Sequence, residues 1–478
     1  MERMMGSASA TRSGSRTTQG RMMGLRCRSA QARTQIRSSG RAGISGREHI
    51  PHSTTTRAGR ETPSSASSAS SSSSRRIVIL GGAGRVGSAT AAAILREQER
   101  GNGFEGREVV LAGRRPREEA LSSLPQDLAG RVGYERCDAS DPASLDRLLG
   151  SPASLVIHAA GPFQQTESCP VLEASIRNGC GAYLDVCDDA DHTLRAKTEF
   201  HDAAREAGLS AVVSTGVYPG LSNVMAAYMC RGAGSPFPDS SAEKLRYSYF
   251  TAGSGGVGET ILATSVLLLG EPAAQFVEGQ RRDVGAYSER NVVEFGQKVG
   301  KRECFSLNLP EVFTSREALG VETVSAYFGT SPGVWNLAMR MMADLLPQDL
   351  LRSRKFANAL ASLIMPLVVA VDALVGKTTA MRVDVKYQNG KASSSLFVHG
   401  DTAAAAGNSA AAFADRLLHD ENGEPLGAGV WYPEDDGVVE DHDRFFRMCT
   451  EGCQAFAMSQ APWRLEQDGL RIGMGLYL

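Results

Sequence analysis

The sequence predicts an α/β protein that begins with a doubly wound parallel sheet and continues into an α+β domain with a mostly antiparallel sheet. The apolar run 77–80 leads into a glycine-rich turn and then into an alanine-rich helical stretch. Further strand-like runs alternate with helical stretches up to residue 215, which is the pattern of a parallel sheet. Beyond residue 216 the strands show period-two alternation, and Asn389-Gly390 between two such runs indicates a hairpin.

The strands predicted for the first sheet are short and apolar, as strands buried on both faces must be. They lie at 77–80, 108–113, up to 140, 154–162, 182–189 and 209–215, with helices at 88–97, 171–179 and 196–208. In the second half we expect a strand that runs into a glycine turn over 244–258, strands near 291–297, 303–309 and 321–328, and a hairpin over 380–398. Helices are expected directly after residue 258 and at 333–346, 349–375 and 402–418.

These elements divide the chain of 478 residues into four parts. Residues 1–74 are interpreted as a transit peptide with a Ser-rich linker, and residues 75–215 as a nucleotide-binding domain of the Rossmann type. Residues 216–400 form the α+β domain, for substrate binding or dimerisation. Residues 401–478 are expected to return toward the first domain.

The charge of the chain is unevenly distributed. Residues 1–74 contain twelve arginines and three glutamates, a net charge of +9, and the remainder carries −11. The first segment is rich in Ser and Thr and has no apolar core of a secretory signal, so it fits an organelle transit peptide. A disordered basic tail is the alternative. The acidic remainder argues against nucleic acid as a partner.

Neither a metal site nor a membrane span is indicated. None of the nine cysteines forms a Cys-x-x-Cys pair, and no spacing of His, Cys and Asp is typical of a metal site. The charge-free stretch 356–371 has 16 residues, short of the ~20 that a membrane span needs. We expect it to be a buried core helix or helix pair, with a membrane contact as the alternative.

The hexapeptide GAGRVG after the first strand fits the dinucleotide-binding pattern Gly-x-Gly-x-x-Gly. Gly82 permits the tight turn, Gly84 lets the backbone approach a pyrophosphate, and Gly87 lets helix and strand pack closely. Arg85 and Val86 begin the helix whose free N–H groups face the phosphates. A glycine turn without a ligand is the alternative.

The residues after the second strand predict which dinucleotide is bound. An acid there would bind the ribose 2′-hydroxyl of NAD, but this chain has Arg114 and Arg115. Guanidinium groups suit a 2′-phosphate, so NADP(H) is predicted, with a solvated basic turn as the alternative. Asp138, near the end of the third strand, would bind the adenine or cap a turn.

Several longer stretches resemble the saccharopine dehydrogenase-like family, and most closely its plastid-targeted branch in plants and algae. They are AAGPF (159–163), YLDV (183–186), GVYPGLSN (216–223), TAGSGGVGETILATS (251–265), NLPEV (308–312) and GVWYPED (429–435). The resemblance covers nearly all of residues 75–478. It implies an NADP-binding Rossmann domain and an α+β domain that interrupts the fold before the chain returns.

One position departs from the family pattern. Saccharopine reductases proper typically have an acidic residue before the Pro-Gly of the sixth-strand loop, where this chain has Tyr218. The resemblance therefore does not identify the substrate.

Ligands of such sheets bind beyond the carboxyl ends of the strands. Ala160, Gly161 and Pro162 after the fourth strand are expected against the nicotinamide. Asp185 after the fifth strand is a candidate acid or base, and Tyr218 after the sixth a candidate proton donor. A cap or turn role for Asp185 and a packing role for Tyr218 are the alternatives.

The function predicted from these features is that of an organelle-targeted NADP(H)-dependent oxidoreductase. Its substrate would be a small, amino-acid-like carbonyl or imine compound. The plastid is the expected compartment and the mitochondrion the alternative. A homodimer is a further expectation. The competing interpretation is a non-catalytic NADP(H)-binding sensor or assembly protein, which the missing family acid favours.

Overall fold

The computed structural model describes residues 75–231, 234–253, 258–419 and 426–467. The predicted transit peptide lies outside these ranges.

Sixteen strands alternate with fifteen helices in this part of the chain. The strands are β1 (Arg76–Leu80), β2 (Glu108–Gly113), β3 (Gly133–Arg136), β4 (Leu155–His158), β5 (Ala182–Asp185), β6 (Ser210–Val212), β7 (Ala242–Ala252), β8 (Ala273–Val277), β9 (Gln280–Val284), β10 (Arg290–Glu294), β11 (Lys301–Ser306), β12 (Thr323–Ser331), β13 (Thr378–Tyr387), β14 (Ala392–His399), β15 (Gly429–Trp431) and β16 (Cys453–Gln460). The helices are α1 (Arg85–Glu99), α2 (Arg117–Ser122), α3 (Gln126–Ala129), α4 (Pro142–Leu149), α5 (Pro170–Arg177), α6 (Ala190–Ala207), α7 (Leu221–Cys230), α8 (Glu259–Leu269), α9 (Glu311–Leu319), α10 (Gly333–Leu345), α11 (Gln348–Leu351), α12 (Arg354–Val375), α13 (Thr402–Leu418), α14 (His442–Cys449) and α15 (Arg464–Gln467).

The first sheet is parallel throughout, in the order β15-β6-β5-β4-β1-β2-β3. Its strands are covered on both faces, and β1 shows why its sequence is a continuous apolar run. Ile77 and Ile79 pack into a core with α1 and α13, whereas Val78 and Leu80 pack into a second core with α4, α5 and α6. Successive side chains of a strand point to opposite faces, so both faces require apolar residues.

The second sheet is mixed and mostly antiparallel. Its order is β10-β11-β12-β7-β13-β14-β16, with β8 paired to β12 and β9 to β8, and of these pairs only β12 with β7 is parallel. The predicted hairpin is β13–β14, where Gly390 has a φ of +79° and turns the chain. The predicted combination of a doubly wound parallel sheet with an α+β part is confirmed.

The expected burial of residues 356–371 is wrong. They belong to α12, whose window Arg354–Val371 is long and apolar enough to cross a membrane by length and composition, yet is only 17% buried. Leu363, Leu367 and Val369 are exposed, while small residues such as Ala357 and Ala361 face the protein. The helix therefore packs through small residues together with Phe356, Leu360 and Val368, and leaves other large apolar residues exposed.

Candidate cofactor and active site

The conformation of the glycine turn after β1 is fixed by backbone hydrogen bonds and by close contacts with neighbouring atoms. The N–H groups of Gly81 and Gly82 both donate to the carbonyl of Ala112 at the end of β2, at 2.8 and 3.2 Å. A Cβ on Gly82 would lie 2.7 Å from Leu111, and one on Gly87 would lie 2.4 Å from the Gly81 carbonyl oxygen. Glycine is therefore required at both positions, as their places in the motif predict.

The other glycine of the motif lies on the open side of the turn. Gly84 is exposed and precedes α1 as its N-terminal cap. The nearest atom to a Cβ there would be the Gly81 carbonyl oxygen, at 3.0 Å. Arg85 is exposed beside it, and Val86 is partly buried. The turn thus presents bare backbone and the helix N-terminus to solvent, which fits a pyrophosphate.

Three guanidinium groups lie at the carboxyl ends of β2 and β3. Arg115 donates to the Ala83 carbonyl in the glycine turn at 2.9 Å, and Arg114 is exposed next to it. Arg136, which the sequence reasoning did not select, donates from Nε to the Arg114 carbonyl at 3.1 Å. Its pairing opposite Gly113 in the β2–β3 register places it there. This donor set fits a 2′-phosphate beside the turn.

Asp138 follows β3 and binds locally. Its Oδ1 accepts hydrogen bonds from the backbone N–H and the hydroxyl of Ser140, at 3.0 and 2.7 Å. These bonds lower the pKa of the carboxyl. These hydrogen bonds cap the turn after β3, and binding of the adenine by Asp138 stays a prediction.

The loop after β4 lies against the glycine turn. A Cβ on Gly81 would be 2.6 Å from the Ala159 carbonyl oxygen and 2.8 Å from the Ala160 nitrogen. A Cβ on Gly161 would meet Thr260 of α8 at 3.6 Å, and the Pro162 carbonyl accepts a hydrogen bond from Arg354 at 2.9 Å. The loop thus lies between the first sheet and helices α8 and α12.

Asp185 is fully buried, and its carboxylate accepts hydrogen bonds from neighbouring backbone and side-chain groups. Oδ1 accepts from the N–H groups of Ser214 and Cys187 at 2.7 and 3.1 Å, and Oδ2 accepts from the Tyr183 hydroxyl at 3.0 Å. Burial raises its pKa to about 6, and these donors oppose the rise. The side chain joins the ends of β5 and β6.

Asp188, three residues further on, is partly exposed. Its Oδ1 accepts from the Gln164 amide at 2.9 Å, and the Gln164 oxygen accepts from the Thr264 hydroxyl of α8 at 3.1 Å. Burial raises the pKa of Asp188, with the Gln164 hydrogen bond opposing. Asp188 therefore combines a raised pKa with access to the solvent, which Asp185 does not.

Tyr218 lies in the loop after β6 and faces the second sheet. Its hydroxyl and that of Thr379 in β13 are 2.8 Å apart, and its ring stacks on Tyr249 of β7 with centroids 4.6 Å apart. Burial raises its pKa, and the nearby Asp188 carboxylate adds to the effect. The phenol therefore stays protonated at neutral pH and can donate a proton.

Beneath Tyr218 lies a buried polar cluster that the sequence reasoning did not identify. The Glu311 carboxyl accepts from the Tyr249 hydroxyl at 2.5 Å and from Ser222 at 3.3 Å. Glu434 accepts from the Asn223 amide at 2.7 Å and from Ser315 at 3.0 Å. Among the described residues, one oxygen of each glutamate is buried without a partner.

The signal for this cluster was present in the family stretches. Glu311 is the acid of NLPEV, Glu434 that of GVWYPED, and Ser222 and Asn223 belong to GVYPGLSN. Burial raises the pKa of Glu311 to about 7. The two acids can be seen in the sequence, but only the folded structure brings them into one cluster.

Residues 77–212 match the saccharopine dehydrogenase NADP binding domain. That range runs from β1 to β6 and includes the glycine turn, the arginines and the β4 and β5 loops.

The homologues are saccharopine dehydrogenase-like oxidoreductases. The protein of Rattus norvegicus is 34% identical over 89 residues, 19% of this chain and 20% of its own. That of Bos taurus is 28% identical over 142 residues, 28% of this chain and 32% of its own. The matches thus span between a fifth and a third of these relatives.

The fold also resembles a solved structure, apo histidine-tagged saccharopine dehydrogenase (L-Glu forming) from Saccharomyces cerevisiae. The TM-score is 0.53 at 13% identity, and the similarity covers 79% of this chain and 97% of that one. At this identity the likeness concerns the fold alone. It extends well beyond residues 77–212, so the second sheet shares in it.

Proposed function

We propose that the chain is an NADP(H)-dependent oxidoreductase that acts on a small, amino-acid-like carbonyl or imine compound. The observation that carries the proposal is the position of Asp188 and Tyr218. Both protonatable side chains are partly exposed and follow neighbouring strands of the nucleotide-binding sheet. Tyr218 hydrogen-bonds to Thr379 of β13, and Asp188 is linked to Thr264 of α8 through Gln164. The substrate would lie between that sheet edge, α8 and β13.

Each group of residues has a separate task in this proposal. NADP(H), when bound, supplies or accepts the hydride. The glycine turn and α1 hold the pyrophosphate, and Arg114 and Arg115 hold the 2′-phosphate. Tyr218 donates a proton to the substrate oxygen or nitrogen, and Asp188 is positioned to exchange that proton with solvent.

The test is a metabolite screen that follows NADPH absorbance, repeated with Tyr218→Phe and Asp188→Asn once a substrate is found. Each substitution removes a proton-transfer group and should lower turnover by about 100-fold or more. NADPH affinity should change less than about twofold, because the glycine turn is untouched. Tyr387→Phe is the matched control, since its buried hydroxyl donates to the Met229 carbonyl.

Two results would contradict the proposal. If Tyr218→Phe and Asp188→Asn turn over the substrate like Tyr387→Phe, the catalytic assignment is wrong. If NADPH binds tightly but no compound in the screen is reduced and NADP⁺ oxidises none, a non-catalytic NADP(H)-binding role replaces the enzyme.

We further propose that residues 1–74 direct the chain to plastids. The support is their net charge of +9 with abundant Ser and Thr. A fluorescent protein fused to residues 1–74 should enter plastids in plant cells, and a version with the arginines replaced by glutamine should not. Fluorescence that stays in the cytosol would contradict the proposal, and import into mitochondria would change the compartment.

A further inference from the structure

Large apolar side chains are concentrated on one region of the surface. Among the described residues eleven large apolar side chains are exposed, and eight of them lie within residues 333–375, which form α10, α11 and α12. Soluble monomers rarely leave contiguous apolar patches uncovered, and those that do use them as interaction sites. The exposure of these apolar residues is therefore not explained by the stability of the fold and points to an interaction.

The exposed residues of α10 follow the helix period. Val334, Leu337, Met341 and Leu345 are spaced by three, four and four residues and form one stripe, with exposures from 51% to 71%. Residues at this spacing share one face of a helix. The polar side chain of Asn336 is buried instead and hydrogen-bonds to the backbone of Thr330. The helix thus presents an apolar stripe to solvent, while Met339 and Met342 pack against the core.

Helix α12 shows the same inversion. Its fully buried residues Ala357 and Ala361 are small, whereas Leu363 is 77% exposed and Leu367 and Val369 are more than half exposed. A helix of a soluble domain normally buries its large apolar residues. Both α10 and α12 pack on α8, so the same helix lies beneath the two helices that carry the exposed apolar residues.

The charges around these helices differ from those of the rest of the body. Residues 333–377 contain five basic and three acidic residues, although residues 75–478 together carry −11. Arg352, Arg354 and Lys355 stand at the start of α12, and Lys377 follows its end. Between them no charge interrupts residues 356–371. An apolar helix face bordered by basic residues is complementary to an anionic lipid surface.

Two contacts hold α12 parallel to the protein surface. Arg352 donates to the Gly270 carbonyl at 2.8 Å and Arg354 to the Pro162 carbonyl at 2.9 Å, which fixes the start of the helix. Further along, Ala361 and Val368 are buried against the protein. A helix held along its length in this way suits binding in the plane of a bilayer rather than crossing it.

We propose that the exposed faces of α10 and α12 dock the protein on the surface of an anionic lipid bilayer. Leu363, Leu367 and the α10 stripe enter the boundary between headgroups and acyl chains, and the exposed Lys355 and Lys377 contact the headgroups. The proposal does not depend on the oxidoreductase function.

The test is flotation of the full chain with phosphatidylcholine vesicles that contain about one third phosphatidylglycerol. We compare the unmodified protein with Leu363→Glu/Leu367→Glu and with Val277→Glu/Val292→Glu as the matched control. Val277 and Val292 are also exposed, at 41% and 52%, but lie on β8 and β10. Two buried leucines contribute enough that the first variant should bind at least about tenfold more weakly, while the control binds like the unmodified protein.

The design separates this surface from the basic segment 1–74, which all three proteins carry. If all three bind vesicles equally, that segment or another surface is responsible and the proposal is wrong. Thermal unfolding of each variant checks that it is folded. If the unmodified protein binds no vesicles and sediments as a dimer that Leu363→Glu/Leu367→Glu dissociates, a second copy covers the face and the lipid proposal fails.

Discussion

Asp185 and Asp188 lie three residues apart and occupy different environments. Asp185 has no exposed surface and accepts three hydrogen bonds, whereas Asp188 is partly exposed and accepts a hydrogen bond from Gln164. Both have a raised pKa because both are largely removed from water. Only a carboxyl that a substrate or solvent can reach is able to exchange protons during a reaction.

The two aspartates should therefore respond differently to the same substitution. Asp185→Asn replaces an acceptor by an amide N–H₂ and should destabilise the protein by about 1–3 kcal/mol, because buried donors lose a partner. Turnover per folded molecule should change little, in contrast to Asp188→Asn. Chemical denaturation and initial rates on the same samples measure both effects. A folded Asp185→Asn protein without activity would restore the catalytic role predicted from the sequence.

The arginines after β2 should decide between NADPH and NADH. Arg114→Asp places a negative charge where a 2′-phosphate would bind, so NADPH affinity should fall at least about tenfold, or 1.4 kcal/mol, with NADH nearly unaffected. Calorimetry with both dinucleotides measures the change. Arg147→Asp, the same charge change on α4, is the control. Equal affinities of the unmodified protein for the two dinucleotides would contradict the prediction.

Glu311 should make stability depend on pH. Its pKa in the folded protein is about 7, above the ordinary value of 4.5, because burial disfavours the charged form. A raised carboxyl pKa means that the folded state binds more protons, so this contribution is present below about pH 4.5 and is lost as the pH rises to about 7. Glu311→Gln has no such charge.

Comparing the unmodified protein with Glu311→Gln separates the effect of Glu311 on stability from the effects of other titrating groups. Relative to the unmodified protein, Glu311→Gln should gain on the order of 3 kcal/mol between pH 5 and pH 8. Urea unfolding at both pH values measures the gain. A pH-independent difference would show that Glu311 does not titrate in this range.

At the scale of elements, α1 and α13 pack unusually closely through a glycine. A Cβ on Gly407 of α13 would lie 2.6 and 2.7 Å from backbone atoms of Ala89 and Thr90 in α1, and 2.8 Å from the Ala89 Cβ. Since α1 is the helix that faces the phosphates, α13 supports the cofactor site from behind. This contact links a late part of the chain to the first turn of the nucleotide-binding sheet.

Gly407→Ala tests this packing. Alanine favours a helix by about 1 kcal/mol over glycine, yet here it should destabilise by roughly 1–3 kcal/mol because the helices must move apart. Gly333→Ala in α10, where a Cβ would meet nothing within 4 Å, should be neutral or slightly stabilising. Thermal unfolding with and without NADPH compares them. A stabilised Gly407→Ala protein would contradict the close contact.

The elements that the sequence predicted are those with strong local signals. β2 was predicted at its observed bounds, and the hairpin at Asn389-Gly390 is present, because buried strands and tight turns impose local residue choices. β15 was not predicted, because a strand of three residues is too short to show a periodic pattern. Its pairing partner, β6, lies far away in the sequence. For α12 the composition indicates a helix, but it does not show which side of the helix faces the protein. That side is decided by tertiary packing.

In the candidate site, too, residues that are contiguous in the sequence could be predicted, and residues that only the fold brings together could not. The glycine turn and the arginines after β2 are contiguous in sequence and could be selected from it. Arg136 reaches the site through strand register, and Glu311 and Glu434 meet although they are far apart in the chain. Asp185 and Asp188 differ in burial, which no local pattern specifies.

At the scale of the whole molecule, the two sheets share one continuous core. The largest buried cluster contains Ile77 and Leu111 of the parallel sheet together with Tyr247 and Met381 of the second sheet. The chain also crosses back late, because β15 joins the first sheet and β16 the second. Neither sheet is therefore completed by a contiguous piece of sequence.

This arrangement predicts that the nucleotide-binding part does not fold without the end of the chain. A fragment of residues 75–231 lacks α13, whose buried Ala405, Ala410 and Phe413 belong to the same core as Ile77. Exposing that face removes much of the apolar burial that stabilises a domain of this size. The fragment should aggregate or unfold without a cooperative transition, whereas 75–467 should unfold cooperatively. Circular dichroism during heating measures both, and a fragment that melts cooperatively and binds NADPH would show that α13 is dispensable.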